Sequence, residues 1–343
     1  MAPPELRWRL ADDGGQGALF DDVERHFGTG EFRGMEFLHV RARRIINEVP
    51  KASRVPFRYT INAYRGCSHA CRYCFARPTH EYLGLDAGAD FERRIVVKVN
   101  AVERLRAELA PSQWRGEHIA MGTNTDPYQR CEGKYRLTRG IVEELAAAAN
   151  PFSILTKSTL ILADVDLLAD ASRRTQVRAN LSIGTLDEGV WRATEPGTPH
   201  PLRRVEAVAR LNDAGVPCGV LVAPVLPGLS DGADQLEAVV RACVDAGARS
   251  ITPLMLHLRP GVREQYLGWL AGARPDLLST HERLYPRAYA PRQAQDELAR
   301  LVASLVSRHG GRSAPPQDTR DVTPSSGGGP TPAGPPRQLP LGL

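Results

Sequence analysis

From residue 57 onward, short apolar runs alternate with amphipathic stretches of helical period. Strands are predicted at residues 59–64, 118–122, 152–156, 177–183, 218–225 and 250–256. Helices are predicted between them at 101–109, 139–149, 164–171, 202–214 and 231–246. Gly215 and Gly247 stand just past two of these helices, where a left-handed C-terminal cap would fall. Strands regularly separated by helices imply right-handed crossovers and a parallel sheet. No glycine-rich phosphate loop follows the first strand, and polar residues follow nearly every later one, as in barrel enzymes. The expected fold class is therefore α/β, a partial (β/α)6 TIM-like barrel.

The flanks read differently. Residues 1–55 lack clean periodicity and are expected to form an N-terminal arm or a set of short elements over a core at 56–260. Residues 261–308, apolar at helical spacing from 267 to 306, are expected to cover the barrel as helices. Beyond them the composition shifts: 15 of the 34 residues from Gly310 to Leu343 are Gly or Pro. Such a segment, 309–343, buries too little to offset its ordering entropy, so a disordered tail is expected.

Composition narrows the function classes. The chain of 343 residues is too long for a disulfide mini-protein and has no run of about 18 uncharged apolar residues to span a membrane. Its N-terminal stretch lacks the apolar core of a secretory signal, so a cytoplasmic location is expected. Lys plus Arg exceed Asp plus Glu by 44 to 39. The excess is local: Arg41 to Arg104 holds 13 basic against 6 acidic residues. That region suits a polyanionic partner, or is an Arg-rich solvated surface.

Six cysteines in a reducing compartment point to metal or redox chemistry where they cluster. Cys67, Cys71 and Cys74 fall within eight residues, spaced C-x3-C-x2-C, with Tyr73 directly before the last. Three thiolates on one loop can hold three corners of a [4Fe-4S] cluster and leave the fourth iron open to a ligand. Gly66 would let the chain turn off the first strand. A structural zinc site recruiting His69 or His80 is the competing reading, and absence of any metal the other. Cys131, Cys218 and Cys243 read as buried small hydrophobes.

The spacing resembles that of radical S-adenosylmethionine (SAM) enzymes. More specifically, residues 55–260 are similar to the family related to spore photoproduct lyase, the DNA-repair-photolyase-like proteins. The likeness rests on five blocks in order: Asn62-Ala63-Tyr64-Arg65-Gly66-Cys67, Thr125-Asp126-Pro127-Tyr128-Gln129, Leu155-Thr156-Lys157-Ser158, Ser182-Ile183-Gly184-Thr185 and Glu195-Pro196. The resemblance implies a [4Fe-4S] cluster on Cys67, Cys71 and Cys74, with SAM chelated at the open iron. It implies reductive cleavage of SAM to a 5′-deoxyadenosyl radical that abstracts hydrogen from a substrate. It further implies that Thr123, Thr125 and Asp126 meet the methionine amino group, Lys157 with Ser158 the carboxylate side, Ser182 and Thr185 the ribose, and Tyr73 the adenine. Glu195 would touch ribose or cap a helix. A reductant such as flavodoxin or ferredoxin is the implied electron source.

One departure matters. Spore photoproduct lyase resembles this chain in organisation but returns a hydrogen atom from a cysteine near the end of the second strand. Here that stretch reads Gly122-Thr123-Asn124-Thr125, and Cys131 becomes the candidate donor only if the loop folds back. The cofactor carries over more firmly than the lyase reaction. Arg65, Arg72 and Arg77 interleave with Tyr64, Tyr73 and Phe75, a composition that can grip a phosphodiester and stack a flipped base, or neutralise an anionic cluster. Repair or modification of nucleic acid is the leading expectation. A peptide or small-metabolite substrate, and a non-catalytic metal-containing nucleic-acid-binding protein, are the alternatives. The C-terminal Gln338-Leu339-Pro340-Leu341-Gly342-Leu343 resembles the peptide that bacterial sliding clamps bind, with a poorer copy at residues 16–20.

Overall fold

The computed structural model describes residues 20–50, 53, 55–110, 114–312 and 319–320. The proposed tail peptide 338–343 lies outside the described residues, as do positions 16–19 of its poorer copy.

Among the described residues, eleven strands form two sheets. In chain order they are β1 (Phe20–Phe27), β2 (Glu36–Ala42), β3 (Ile46–Glu48), β4 (Tyr59–Ile61), β5 (Tyr64–Arg65) and β6 (Arg94–Lys98). Then follow β7 (Ile119–Met121), β8 (Phe152–Thr156), β9 (Val177–Ser182), β10 (Cys218–Val225) and β11 (Ile251–Met255). The large sheet runs β11-β10-β9-β8-β7-β4-β3. Its six strands from β4 to β11 pair in parallel, and β3 closes the edge in antiparallel fashion. Helices Ala101–Glu108, Leu137–Ala147, Val165–Arg174, Pro201–Asp213 and Ala233–Asp245 make the crossovers. This is the expected α/β partial barrel. Gly215 and Gly247 take left-handed conformations just past their helices.

The apolar runs explain the core. Ile119, Phe152, Ile154, Leu181, Val220 and Val222 are buried with helix residues such as Ile141, Leu168 and Val208 in one cluster. Helix Arg292–Arg308 joins that cluster through Leu298, Val302, Leu305 and Val306. Helices Val262–Ala273 and Pro275–Leu284 build a second cluster, where Tyr266, Leu270 and Tyr285 pack with Cys71 and Tyr73. The covering helices therefore reach the cysteine loop.

Two observations depart from the sequence expectation. The first strand breaks at Asn62, whose amide donates to Thr123 Oγ1 (3.1 Å) and whose carbonyl oxygen accepts from Asn124 N (3.1 Å). That side chain ties the chain to the end of β7, and β5 then leaves the barrel to pair with β6. Residues before 55 supply β1, β2 and β3, and β1-β2-β6-β5 form a separate four-stranded sheet. β6 is buried on both faces, so it lacks the two-residue alternation that would reveal a strand in sequence, whereas β2 alternates from Leu38 to Ala42.

Candidate active site

Cys67, Cys71 and Cys74 sit on the loop that leaves β5, and all three thiols are free. Gly66 adopts φ +80°, and a Cβ there would stand 2.8 Å from His80 Cε1 and 2.9 Å from the Phe91 carbonyl oxygen, so only glycine makes this turn. Backbone bonds brace the loop: Cys67 N to Phe91 O (2.9 Å), Arg72 N to Thr194 O (2.9 Å) and Gly197 N to His69 O (3.0 Å). Arg77, 2% exposed, reaches round from behind and donates to Cys71 O, Ala87 O and Gly88 O while pairing with Glu92.

The three cysteines face one cavity of about 180 Å³, between the loop and the C-terminal ends of the parallel strands. Burial, joined by Asp126 at Cys67 and by Glu195 at Cys71, pushes these two thiols up, that of Cys71 to about 12, and burial raises Cys74 as well. Such thiols become thiolates when a cationic centre offsets the desolvation. A larger hollow of about 320 Å³ lies behind the loop among Arg72, Arg77, Glu92, Glu264 and Trp269, and no thiol lines it. The cysteine chemistry belongs to the smaller cavity.

Thr125, Asp126, Lys157, Ser182 and Tyr73 line the same cavity as the cysteines. Their polar groups are already engaged. Thr125 Oγ1 donates to Gly66 O (2.7 Å). Asp126 accepts from Thr156 Oγ1 (2.6 Å), Lys157 N (2.7 Å) and Tyr128 N (2.9 Å), and pairs with His69 Nδ1 at 3.3 Å. Burial opposes its charge, but His69 and these donors outweigh burial and hold the carboxyl below its ordinary value. Lys157 Nζ donates to Ser182 Oγ (2.8 Å), Glu195 Oε1 (2.9 Å) and Ala223 O (3.2 Å), using all three donors, and stands over the Tyr73 ring. Glu195 is buried away from the cavity and also binds Tyr73 OH, Arg204 and Thr198. Burial would raise its carboxyl, yet Arg204 and Lys157 hold it far below the usual range.

Other expected residues stand elsewhere. Cys131 is fully buried in the main apolar cluster, does not line the cavity, and burial pushes its thiol far up. The loop does not fold back, so Cys131 is not placed to return a hydrogen atom. Ser158 caps the turn Thr159–Asp164, accepting from Leu160 N (3.2 Å), and does not line the cysteine cavity. Thr123 serves Asn62, and Thr185 accepts from Asp187 N. Glu195 is consumed by internal partners instead of facing ribose. His80 Nε2 lies 3.0 Å from Arg94 O and His69 Nδ1 faces Asp126, which disfavours zinc completed by either imidazole. Tyr64, Tyr73 and Arg77 are buried and Arg65 and Arg72 are partly buried, leaving Phe75, half exposed at the cavity, as the open member of the Arg/aromatic set.

Sequence reasoning missed Gln129, Arg204 and His257. Gln129 is fully buried, donates to Gly66 O and accepts from Ser68 N, fixing the cysteine loop from below. His257 lines the cavity, and burial with nearby Arg259 lowers it to about 4.

Residues 61–243 match the family model described as the radical SAM superfamily. This chain belongs to that superfamily. Membership implies a [4Fe-4S] cluster and SAM, and the chain is a radical SAM enzyme. Uncharacterized proteins of Mycobacterium bovis and Mycobacterium tuberculosis are 44% identical over 299 residues, covering 86% of this chain and 88% of theirs. A spore photoproduct lyase variant shares the fold at TM-score 0.57 with 20% identity, covering 80% of this chain and 79% of its own. Another, solved with AdoMet and dinucleoside spore photoproduct bound, gives TM-score 0.56 and 19% identity, covering 76% and 78%. Among the described residues, no helix is long and apolar enough to cross a membrane.

Proposed function

We propose that this radical SAM enzyme holds its cluster on Cys67, Cys71 and Cys74, binds SAM in the adjoining cavity, and repairs or modifies a base of nucleic acid. The observation that carries the reading is the convergence of all three thiols with Asp126, Lys157 and Ser182 on one cavity at the strand ends. Cys67, Cys71 and Cys74 would hold the [4Fe-4S] cluster, which when bound would supply the one-electron chemistry for reductive cleavage of SAM. Asp126, kept ionised by His69, places fixed negative charge at the cavity wall, complementary to the positive groups of SAM. Glu195 neutralises Lys157 and fixes Tyr73, so this wall is preorganised. Leu254, Met255, Leu256 and Pro224 form an apolar side that limits water.

Nucleic acid is favoured by the basic region around the loop and by Phe75, a half-exposed aromatic beside Cys74 that offers a stacking face. The lyase-type reaction is supported by the shared fold with spore photoproduct lyases. Anaerobic turnover with deuterated or damaged oligonucleotides is expected to move label into 5′-deoxyadenosine. Unlabelled 5′-deoxyadenosine throughout would remove nucleic acid and favour a peptide or metabolite; no SAM cleavage would remove the catalytic reading. A flavodoxin or ferredoxin is the fitting reductant in that assay. The C-terminal peptide extends the reading to a sliding-clamp partner: deleting residues 338–343 should abolish clamp capture in a pull-down, and undiminished capture would exclude the motif.

A further inference from the structure

The β1–β2 ribbon carries a cluster that the cavity chemistry does not use. Glu24, His26 and His39 each offer one ligand atom, and these atoms all lie within 4.8 Å of one another. Strand register puts them there. Glu24 pairs directly with His39, and His26 follows two residues along β1, so the three share one face. His26 Nε2 stands 3.5 Å from Glu24 Oε2, and the two imidazole rings lie 3.9 Å apart, tilted by 32°. His39 is the half-buried member, and its Nε2 is 2.7 Å from the Tyr135 hydroxyl.

We propose that Glu24, His26 and His39 form a divalent-cation site of the zinc type, clipping β1 to β2. Two imidazoles and one carboxylate are a ligand set that zinc accepts, with water completing the tetrahedron. Zinc–nitrogen bonds of about 2.0–2.1 Å set neighbouring donors roughly 3.3 Å apart, so small rotations of exposed side chains complete the site. Tyr135 is the positioning residue. By engaging Nε2 it leaves Nδ1 of His39 as the donor, the arrangement that orients metal-bound imidazoles generally. The site stands apart from the cysteine cavity, and none of its members lines it.

The test is anaerobic equilibrium dialysis of cluster-loaded full-length protein against Zn²⁺ with a competing chelator, read as zinc and iron per chain. One zinc at about micromolar affinity or tighter is expected. His26→Gln and His39→Ala should each lose that equivalent with iron content unchanged; His26→Gln is the safer variant because the side chain is exposed. Tyr135→Phe should weaken zinc about tenfold without changing iron. A variant with Cys67, Cys71 and Cys74 all changed to Ala should keep the equivalent, which separates this proposal from the cluster reading. No zinc bound, stoichiometry unchanged in both histidine variants, or loss confined to the cysteine variant would each overturn the site.

Discussion

Glu195 and Lys98 are both buried charges, and they are treated oppositely. Glu195 is surrounded by Lys157, Arg204, Tyr73 and Thr198, and it stays ionised. Lys98, 6% exposed at the end of β6, makes no side-chain hydrogen bond or ion pair among the described residues. Glu108, the carboxylate that attracts it, is committed to the amides of Ile45 and Ile46. Burial first, and Arg65 second, lower the Lys98 pKa to about 7. Partner count, more than burial, decides whether a charge survives inside the fold. It also decides what a shifted pKa means. The Glu195 network positions two cavity residues, whereas Lys98 is shifted without touching the cavity.

The sharpest way to break this contrast is Glu195→Gln. Removing the carboxylate leaves Lys157 and Arg204 buried without their counter-charge and should cost about 3–5 kcal/mol in urea unfolding of the anaerobic protein. A loss below about 1 kcal/mol would mean that the network is not what holds these charges. Lys98→Met should have the opposite sign, raising stability by about 1–4 kcal/mol at pH 7, because a penalised charge gives way to an apolar chain of similar length. The gain has a pH signature. Between about pH 7 and the ordinary lysine value of 10.5 the unfolded chain holds a proton on Lys98 that the folded chain has lost, so wild-type stability climbs with pH there. The advantage of the variant should therefore shrink from pH 7 toward pH 10 in paired unfolding curves, and a pH-independent difference would refute the assignment. The smallest effect is expected from Thr198→Val. It removes one neutral member, which bonds Glu195, Arg204 and Trp191, at a cost of about 1 kcal/mol.

The sequence made the barrel legible and the small sheet illegible for the same reason. The strand Cys218–Val225 is an apolar run between two helices that end at Gly215 and Gly247, and Phe152–Thr156 is a short run between two helical segments, so their limits are written locally. β2 and β6 pair with each other across more than fifty residues, β1 only adds an edge to that pair, and the break at Asn62 depends on Thr123 and Asn124. The site divides likewise. Cysteine spacing is local and announced its chemistry, whereas Gln129 and Arg204 act through contacts that only the tertiary fold creates. Ser158 and Cys131 lay near the right strands in sequence, but one capped a turn and the other filled the core. Adjacency in a motif did not settle which way a side chain points.

The backbone bonds on both sides of the cysteine loop have a consequence for how the protein matures. Phe91, Thr194 and Gly197 grip the loop at three separate points, and a Cβ at Gly197 would stand only 2.2 Å from Ser68 O. The loop thus takes its shape from its neighbours, unlike small metal domains that fold around their ion. Maturation therefore depends on Phe91, Thr194 and Gly197 as well as on the cysteines, because a change at any of these anchors would move the thiols.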